Sequence, residues 1–521
     1  MGIQDSLVMM DNIYEGGLAP EQVLGVAAQR VCILAMKRLD RNTRIRRQAE
    51  SLRDAGFRVT VVSTTPPDAL MNPAGEGVEH IAIPISHPVL NGLGWILRLG
   101  ERPTARLAAG DDSSAARQAH KPGDAVGRGV AETVLYPLRV VSALVVFLLL
   151  RTNRAAFAQA NASLRDVLRA RTSKLLSALM RPYMPKIRRI QFARKARARL
   201  RAEQFDVVQA HDILTMGVAT DLARALGAKC LFDAIELFEH RSDGVTRARV
   251  CILNKWFSAC DIRLLKAADA VISVSPGVGE FMADTYGIGA ATIIRNCQEP
   301  WLLRADSRLR SDIGAGPDDR IVLYLNSLYP NQGFEAVLEA LVHLPLRVRL
   351  VVLGRERRRG YIEECRARAR AIRVEDRVDF LPLRAGDDLI QYISGADVGI
   401  IPFVKTPLNI YYSLPNRLFE MIAAGLPVIA SDLPCIREII EQYDVGVVYG
   451  CDSARSVAAA LDSVISDDNY GWYSQNAAAA AQVLTWSREA TRYVDLVRGL
   501  ADRSVAVDLP HPRASGIPSR R

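Results

Sequence analysis

Several features that would quickly classify a chain of 521 residues are missing from this one. Its eight cysteines, at positions 32, 230, 251, 260, 297, 365, 435 and 451, include no C-x-x-C pair and no metal-ligand spacing with the seven histidines. Reduced structural thiols in a cytosol are therefore expected, with neither a disulfide framework nor a metal centre. No charged-then-apolar leader opens the N-terminus. Residues 1–6 do fit the myristoylation pattern, but a pattern that short arises easily by chance. The apolar run from Val140 to Leu150 would span about 16 Å as a helix, against about 30 Å of hydrocarbon, and is too short to cross a bilayer unaided. The first β-α-β unit lacks G-x-G-x-x-G, so dinucleotide binding has no direct support.

What is present in excess is positive charge, at a net +10, and its location decides its meaning. Between Arg165 and Arg201 thirteen Lys or Arg face one acid, Asp166, a local +12 that leaves about −2 for everything else. The body of the protein is therefore not a basic surface. Leu168, Leu175, Leu179, Ile187, Ile190 and Phe192 interleave with these charges, and the Val134–Leu150 apolar stretch precedes them. An apolar helix beside a basic amphipathic one is the pattern of a segment lying in an anionic membrane interface. The alternatives are a core helix with a solvated arm, and RNA binding, which the scarcity of stacking aromatics in this stretch disfavours.

The rest of the chain alternates short apolar runs with amphipathic stretches. Arg30 to Ala35 and Val59 to Ser63 read as buried strands flanking a helix from Arg44 to Ala55, with Gly56 as its stop. After residues 88–201 the rhythm resumes with Phe205 to Asp212, Lys229 to Phe232, Ala270 to Val274 and Thr292 to Asn296. A second series follows at Ile321, Val348, Val378, Val398, Pro427 and Val445, six strands in a doubly wound pattern. At this length two domains are expected, because single cores rarely grow beyond about 250 to 300 residues. The expected division is a loosely ordered leader 1–28, an N-terminal domain 29–303 with an apolar and basic helical insert at 88–201, and a C-terminal domain 304–485. A helix 486–500 packs back toward the first domain, and 501–521 is a tail.

The stretch from Tyr411 to Ile440 carries the most chemistry. Ser413 is placed to cap a helix with Pro415 in its first turn; Leu418, Phe419, Ile422 and Ala423 form its apolar face, Gly425 ends it, and Pro427 to Ala430 continues as a buried strand. In parallel α/β sheets, ligands bind where strand C-termini and helix N-termini meet. The single acid on this helix, Glu420, is placed to accept hydrogen bonds from sugar hydroxyls; the plainer reading is a solvated surface glutamate. His211, alone at a strand end, is read either as structural or as part of the site.

Four stretches together resemble a known family: Asn42 through Leu52 and Gly56; Asp206 to Asp212 with Phe232 to Glu236; Ala268 through Ser275 to Asn296; and Tyr411 to Ile440. The pattern Ser-Leu-Pro-Asn-basic-Leu-Phe-Glu followed by Ala-Ala-Gly-x-Pro-Val-Ile-Ala-Ser is similar to that of retaining, nucleotide-sugar-dependent glycosyltransferases of the family-4 type, close to bacterial capsular and exopolysaccharide members. The resemblance covers both domains and excludes the leader, residues 88–201 and the tail. It implies an α/β GT-B fold, two Rossmann-like doubly wound domains facing an interdomain cleft, with a helical insert in the first. It implies a UDP- or GDP-linked sugar donor and no metal, and no Asp-x-Asp motif is placed to chelate one, since Asp111-Asp112 lies in the insert and Asp467-Asp468 near a helix end. Glu420 resembles the glutamate that binds the donor ribose. Ser413, Asn416 and Arg417 fall in the same donor-binding stretch, and Ser327 and Gln332 match positions where the family often carries a basic pair. Arg355, at a strand end, and Arg417 are the expected replacements for that pair against the diphosphate. His211 and Asp212 are expected to face the cleft and orient the acceptor or the transferred sugar. Three further departures stand out: Tyr412 occupies the place of the first glutamate of E-x7-E, Ile235 that of a frequent histidine, and neither Ser327 nor Gln332 is basic. The implied function is transfer of a hexose to a lipid-linked saccharide or exopolysaccharide acceptor, at the inner face of the plasma membrane and without nucleic acid. The alternative is a catalytically impaired GT-B shell acting as a scaffold.

Overall fold

The computed structural model describes residues 28–39, 42–64, 77–85, 184–237, 240, 262–301, 306–384, 388–405, 407–450 and 453–502. The leader, the Val134–Leu150 apolar stretch, the basic residues from Arg165 to Arg181 and the tail beyond 502 lie outside the described residues, as do Cys251, Cys260 and Cys451.

The N-terminal sheet is built from β1 (Arg30–Ala35), β2 (Arg58–Ser63), β3 (Glu79–Ala82), β4 (Val207–His211), β5 (Lys229–Ala234), β6 (Ala270–Ser273) and β7 (Thr292–Ile293), in the order β3-β2-β1-β4-β5-β6-β7. Every pairing is parallel, with Ala35 beside His211 and His211 beside Asp233 at the C-terminal edge. Its strands are continuous apolar runs because helices cover both faces. One face carries α1 (Thr43–Asp54). The other carries α2 (Met184–Leu200), α3 (Ile213–Leu226) and α4 (Pro276–Tyr286). Edge strand β3, read from Glu79-His80-Ile81-Ala82, has no apolar run and was not anticipated from the sequence.

Helix α2 corrects one expectation. Phe192, Ala196 and Leu200 are buried in the same core as Val208, Met216 and Phe232, and Ile187 is buried as well, so this part of the basic segment belongs to the domain and is not an appendage. Burying side chains such as Phe192 and Leu200 contributes roughly 1.5 to 3 kcal/mol each. The apolar face of this helix is thereby used up, and only its outer face, with Arg188, Arg194, Lys195, Arg199 and Arg201 exposed, is open to a partner.

The C-terminal sheet contains β8 (Arg320–Leu325), β9 (Val348–Leu353), β10 (Val378–Leu381), β11 (Val398–Ile401), β12 (Val428–Ser431) and β13 (Gly446–Tyr449), all parallel, in the order β10-β9-β8-β11-β12-β13. In chain order its helices are α5 (Arg308–Asp312), α6 (Phe334–Ala340), α7 (Tyr361–Ala371), α8 (Asp388–Ile393), α9 (Leu408–Tyr411), α10 (Asn416–Ala423), α11 (Pro434–Tyr443), α12 (Ala454–Ile465) and α13 (Asp467–Val483). Two apolar clusters, one on each face, fill this domain.

The chain then returns. Helix α14 (Trp486–Ala501) buries Trp486, Tyr493, Val494 and Val497 against Val31, Ile33 and Leu52 of the first domain. Hydrogen bonds fasten the two crossovers: Trp301 N to Ala423 O at 2.8 Å, Ser487 N to Glu299 Oε1 at 2.8 Å, and Arg295 N to Glu489 Oε2 at 3.0 Å.

Candidate functional site

The donor side is assembled at the C-terminal edge of β8 by helix α10. Pro415 is the N-cap of α10, with φ −73° and ψ 142° that pre-set the turn, and no side chain caps it. Ser413 was expected to serve as the cap; instead its Oγ donates to Ile410 O at 2.9 Å and closes the short helix α9. Leu418, Phe419, Met421 and Ile422 anchor α10 in the core, and Gly425, at φ +74°, turns the chain into β12.

Anchored in this way, α10 aims Arg417 at the strand ends. Its Nη1 donates to Leu325 O at 3.0 Å, its guanidinium lies 5.6 Å from the Phe403 ring, and its Nε–H is buried without a hydrogen-bond acceptor. Burial pushes the guanidinium pKa down, with Glu420 opposing and Arg357 reinforcing. Burial likewise pushes the Glu420 carboxyl up, against the pull of Arg417 and of Arg47 from α1 in the other domain. Glu420 is half-buried, with the positive charges of Arg417 and Arg47 acting on it from the two domains.

The remaining donor-side residues are spread out. Ser327 follows β8, in a loop so close to the next that a Cβ on Gly354 would lie 1.8 Å from Asn326 O. Gly333, at φ +84°, approaches Pro402 O so closely that a Cβ there would also lie at 1.8 Å. Gln332 is buried, and its Nε2 donates to Asn331 O at 3.1 Å, back into its own loop. Asn416 is exposed on the first residue of α10. Arg355 is exposed, its carbonyl accepting from Leu328 N at 2.9 Å. The cation electrostatically coupled to Arg417 is Arg357, two residues further on.

The N-terminal sheet contributes a second polar group at the ends of β1, β4 and β5. His211 is fully buried, with Nδ1 3.2 Å from Asp233 Oδ2 and Nε2 3.3 Å from Asn42 Nδ2. Arg44 donates to both oxygens of Asp233, at 3.0 Å each, and Gln48 Nε2 donates to Oδ2 at 2.9 Å. These partners hold the Asp233 carboxyl far below the usual range in spite of its burial. Asp212 adopts φ +74° and ψ 167°, a region almost reserved for glycine, and such strain concentrates at functional sites. Its carboxylate accepts from Leu214 N at 2.7 Å, capping α3, and lies 3.3 Å from Lys37 Nζ, which is also 3.7 Å from Glu236 Oε1.

The two domains touch beside this group. Ser275 Oγ donates to Tyr412 O at 2.6 Å, Leu237 N donates to Asn409 Oδ1 at 2.7 Å, and the Tyr412 ring packs 5.8 Å from Phe281. A Cβ on Gly277 would lie 2.6 Å from Tyr412 Cδ1 and 2.8 Å from Cys435 Sγ. Tyr412, where a donor-binding acid was expected, thus serves as an interdomain contact. Arg44, Arg47, Lys37 and Arg357 were not singled out from the sequence. Nothing marks them among the chain's 67 basic residues until folding places each beside a carboxylate or another cation.

Two parallel α/β domains in tandem, a C-terminal helix that crosses back, and convergent charge at the facing strand ends define the GT-B class. Residues 306–481 match the glycosyl transferases group 1 family, and residues 145–297 match glycosyltransferase family 4. The chain belongs to the family-4-type GT-B glycosyltransferases. The second match begins at residue 145, inside the stretch that the sequence reading had set apart from the resemblance. An uncharacterized glycosyltransferase of Methanocaldococcus jannaschii is 25% identical over 53% of this chain and 70% of its own. Sucrose-phosphate synthase from Thermosynechococcus elongatus shares the fold at a TM-score of 0.60 and 16% identity, covering 91% of this chain and 99% of the other. Anabaena HepE in complex with UDP-glucose does so at 0.57 and 13%, covering 90% and 99%.

Proposed function

We propose that the chain moves a hexose from a UDP- or GDP-sugar to a hydroxyl of a saccharide or polyprenyl-linked acceptor, with retention of configuration and without a metal ion. The observation that carries this reading is Arg417, whose buried Nε–H has no acceptor among the described residues, with Glu420 three residues further along the same helix. A buried N–H without an acceptor calls for an explanation. A donor diphosphate oxygen at Arg417 Nε would supply the missing acceptor, and a ribose hydroxyl would occupy Glu420. Arg357 and Arg355 lie on the adjoining loop as further cations for the leaving diphosphate. One donor of this type is typically worth about 10²- to 10³-fold in rate. The solved relative that holds UDP-glucose supports a nucleotide-sugar donor.

On the acceptor side, Asp212, Lys37 and Glu236 are the groups proposed to receive the sugar hydroxyl. Assembly of an exopolysaccharide or capsular chain at an anionic membrane face fits the outward basic face of α2. No described helix is long and apolar enough to cross a membrane. A second reading, an inactive shell serving as scaffold, is favoured by Tyr412 and Gln332, whose side chains are committed to protein contacts. Thermal shift and nucleotide release with UDP- and GDP-sugars separate the two. The enzyme reading predicts a shift and released nucleotide, both lost in Glu420→Ala; no response to any donor overturns it.

A further inference from the structure

The polar interior of the N-terminal domain has a direction. Tyr493 of α14 donates to Gln209 Oε1 at 2.5 Å, Gln209 Nε2 donates to Gln48 Oε1 at 3.1 Å, and Gln48 Nε2 donates to Asp233 Oδ2 at 2.9 Å. Tyr493, Gln209, Gln48, Asp233 and His211 are all fully buried. Every link donates toward the same carboxylate, so each bond polarises the next. His211 reaches the same oxygen from the other side, its Nδ1 facing Asp233 Oδ2. A carboxylate that already accepts from Arg44 and Gln48 can take only a hydrogen from the imidazole, which requires N–H at Nδ1. The other ring nitrogen gives the same answer independently. Asn42 caps α1 by accepting from Ile45 N through Oδ1 at 3.4 Å, so its Nδ2 is turned to His211 Nε2, which must be the unprotonated acceptor. Asn42 itself is only half-buried, at the strand ends beside Asp212.

We propose that Tyr493 is a positioning residue for the acceptor side of the site. It heads a hydrogen-bond chain that ends on Asp233 and holds that carboxylate in place; Asp233 takes the Nδ1–H of His211, and His211 in turn holds Asn42 so that its second amide hydrogen meets the acceptor sugar. This assigns Asn42 a binding role and gives the returning C-terminal helix a part in the chemistry beyond packing. The inference rests on the glycosyl-transfer reading for its consequence, but its chain of contacts can be examined without turnover.

The test combines imidazole 15N NMR with kinetics on the full chain, the His211 signals being assigned by their loss in His211→Asn. The unaltered protein is expected to show the neutral Nδ1–H pattern at His211 near neutral pH. An Nε2–H or cationic pattern overturns the proposal whatever the activity. Tyr493→Phe keeps the ring and removes one link. The expected result is an unchanged Nδ1–H tautomer, because Asp233 and Arg44 remain, and about a threefold to tenfold fall in acceptor kcat/KM as Asp233 loses its restraint, with the donor KM unchanged. A lower melting temperature with the kinetic constants unchanged would reduce Tyr493 to a structural contact and overturn the role. Should Tyr493→Phe fold poorly, Asn42→Ser retains a helix cap while removing the amide. It is expected to raise the acceptor KM alone, and an unchanged acceptor KM overturns the assignment. Absence of transfer by the unaltered chain, with the expected tautomer present, would instead refute the function proposed above.

Discussion

The two halves of the site are built in opposite ways. On the C-terminal side, charge is placed by a single short helix: Arg417 and Glu420 lie three residues apart on α10, and one strand end, at Leu325, completes the arrangement. On the N-terminal side no local segment suffices. Asp233, on β5, draws its partners from α1 and β4, and through Gln48 and Gln209 from a helix near the far end of the chain. The difference teaches that a motif read from neighbouring residues captures a charge cluster carried by one helix and misses one gathered from distant elements, although both sit at strand ends of similar sheets.

The comparison can be strained from each side. The largest expected effect comes from Asp233→Asn, because removing the carboxylate leaves Arg44 buried and unpaired; breaking such a pair costs about 3 to 5 kcal/mol at neutral pH. The carboxyl pKa is lowered in the folded state, so its contribution is present above the unfolded value of about 4 and is lost as pH falls below it. Urea melts should therefore show the gap between variant and parent narrowing below about pH 4. A gap of constant size would mean that Asp233 is not ionised in the fold.

Arg417→Ala comes next and addresses the donor side alone. Transfer should fall by about 10²- to 10³-fold. Arg417→Lys should recover only part of this, because an ammonium cannot bond Leu325 O and a phosphate through one planar fork. Steady-state assays at saturating acceptor would read both.

Gly277→Ala tests the contact between the halves. Its Cβ would overlap Tyr412 and Cys435, and overpacking of this kind costs about 1 to 3 kcal/mol unless the domains separate. Small-angle scattering should show a larger radius of gyration if they do, and a melting transition at lower temperature if they do not.

The smallest effect is expected at the surface. Replacing Arg188, Arg194 and Arg201 by Gln should leave stability within about 0.5 kcal/mol, since all three are exposed. It should weaken binding to vesicles containing anionic lipid by about 1 kcal/mol per charge removed. Phe192→Ala, on the buried face of the same helix, should do the reverse and cost about 3 to 5 kcal/mol in stability.

Much of the fold was legible because buried parallel strands are short apolar runs between turn signals, and β1, β2, β8 and β12 read as they fold. Strand β3 was not, because an edge strand carrying Glu79 and His80 has no apolar signature. Glu420 and Arg417 were legible from one helix. The cap expected at Ser413 failed because Pro415 fixes the helix start by its own φ, leaving the hydroxyl to close the preceding turn. The basic helix α2 misled because the thirteen charges of residues 165–201 drew attention from Phe192, Ala196 and Leu200, which pack it into the core. His211 was singled out, but not its partners, since Asp233 lies 22 and Asn42 169 positions away along the chain.

One titration tests the role of Arg417 most directly. Calorimetry of UDP- and GDP-sugars into the unaltered chain and into Arg417→Ala should give a saturable heat with at least one donor in the first and about a hundredfold weaker binding, or none, in the second. Equal affinity in both would contradict the assignment of Arg417 and Glu420 to the donor.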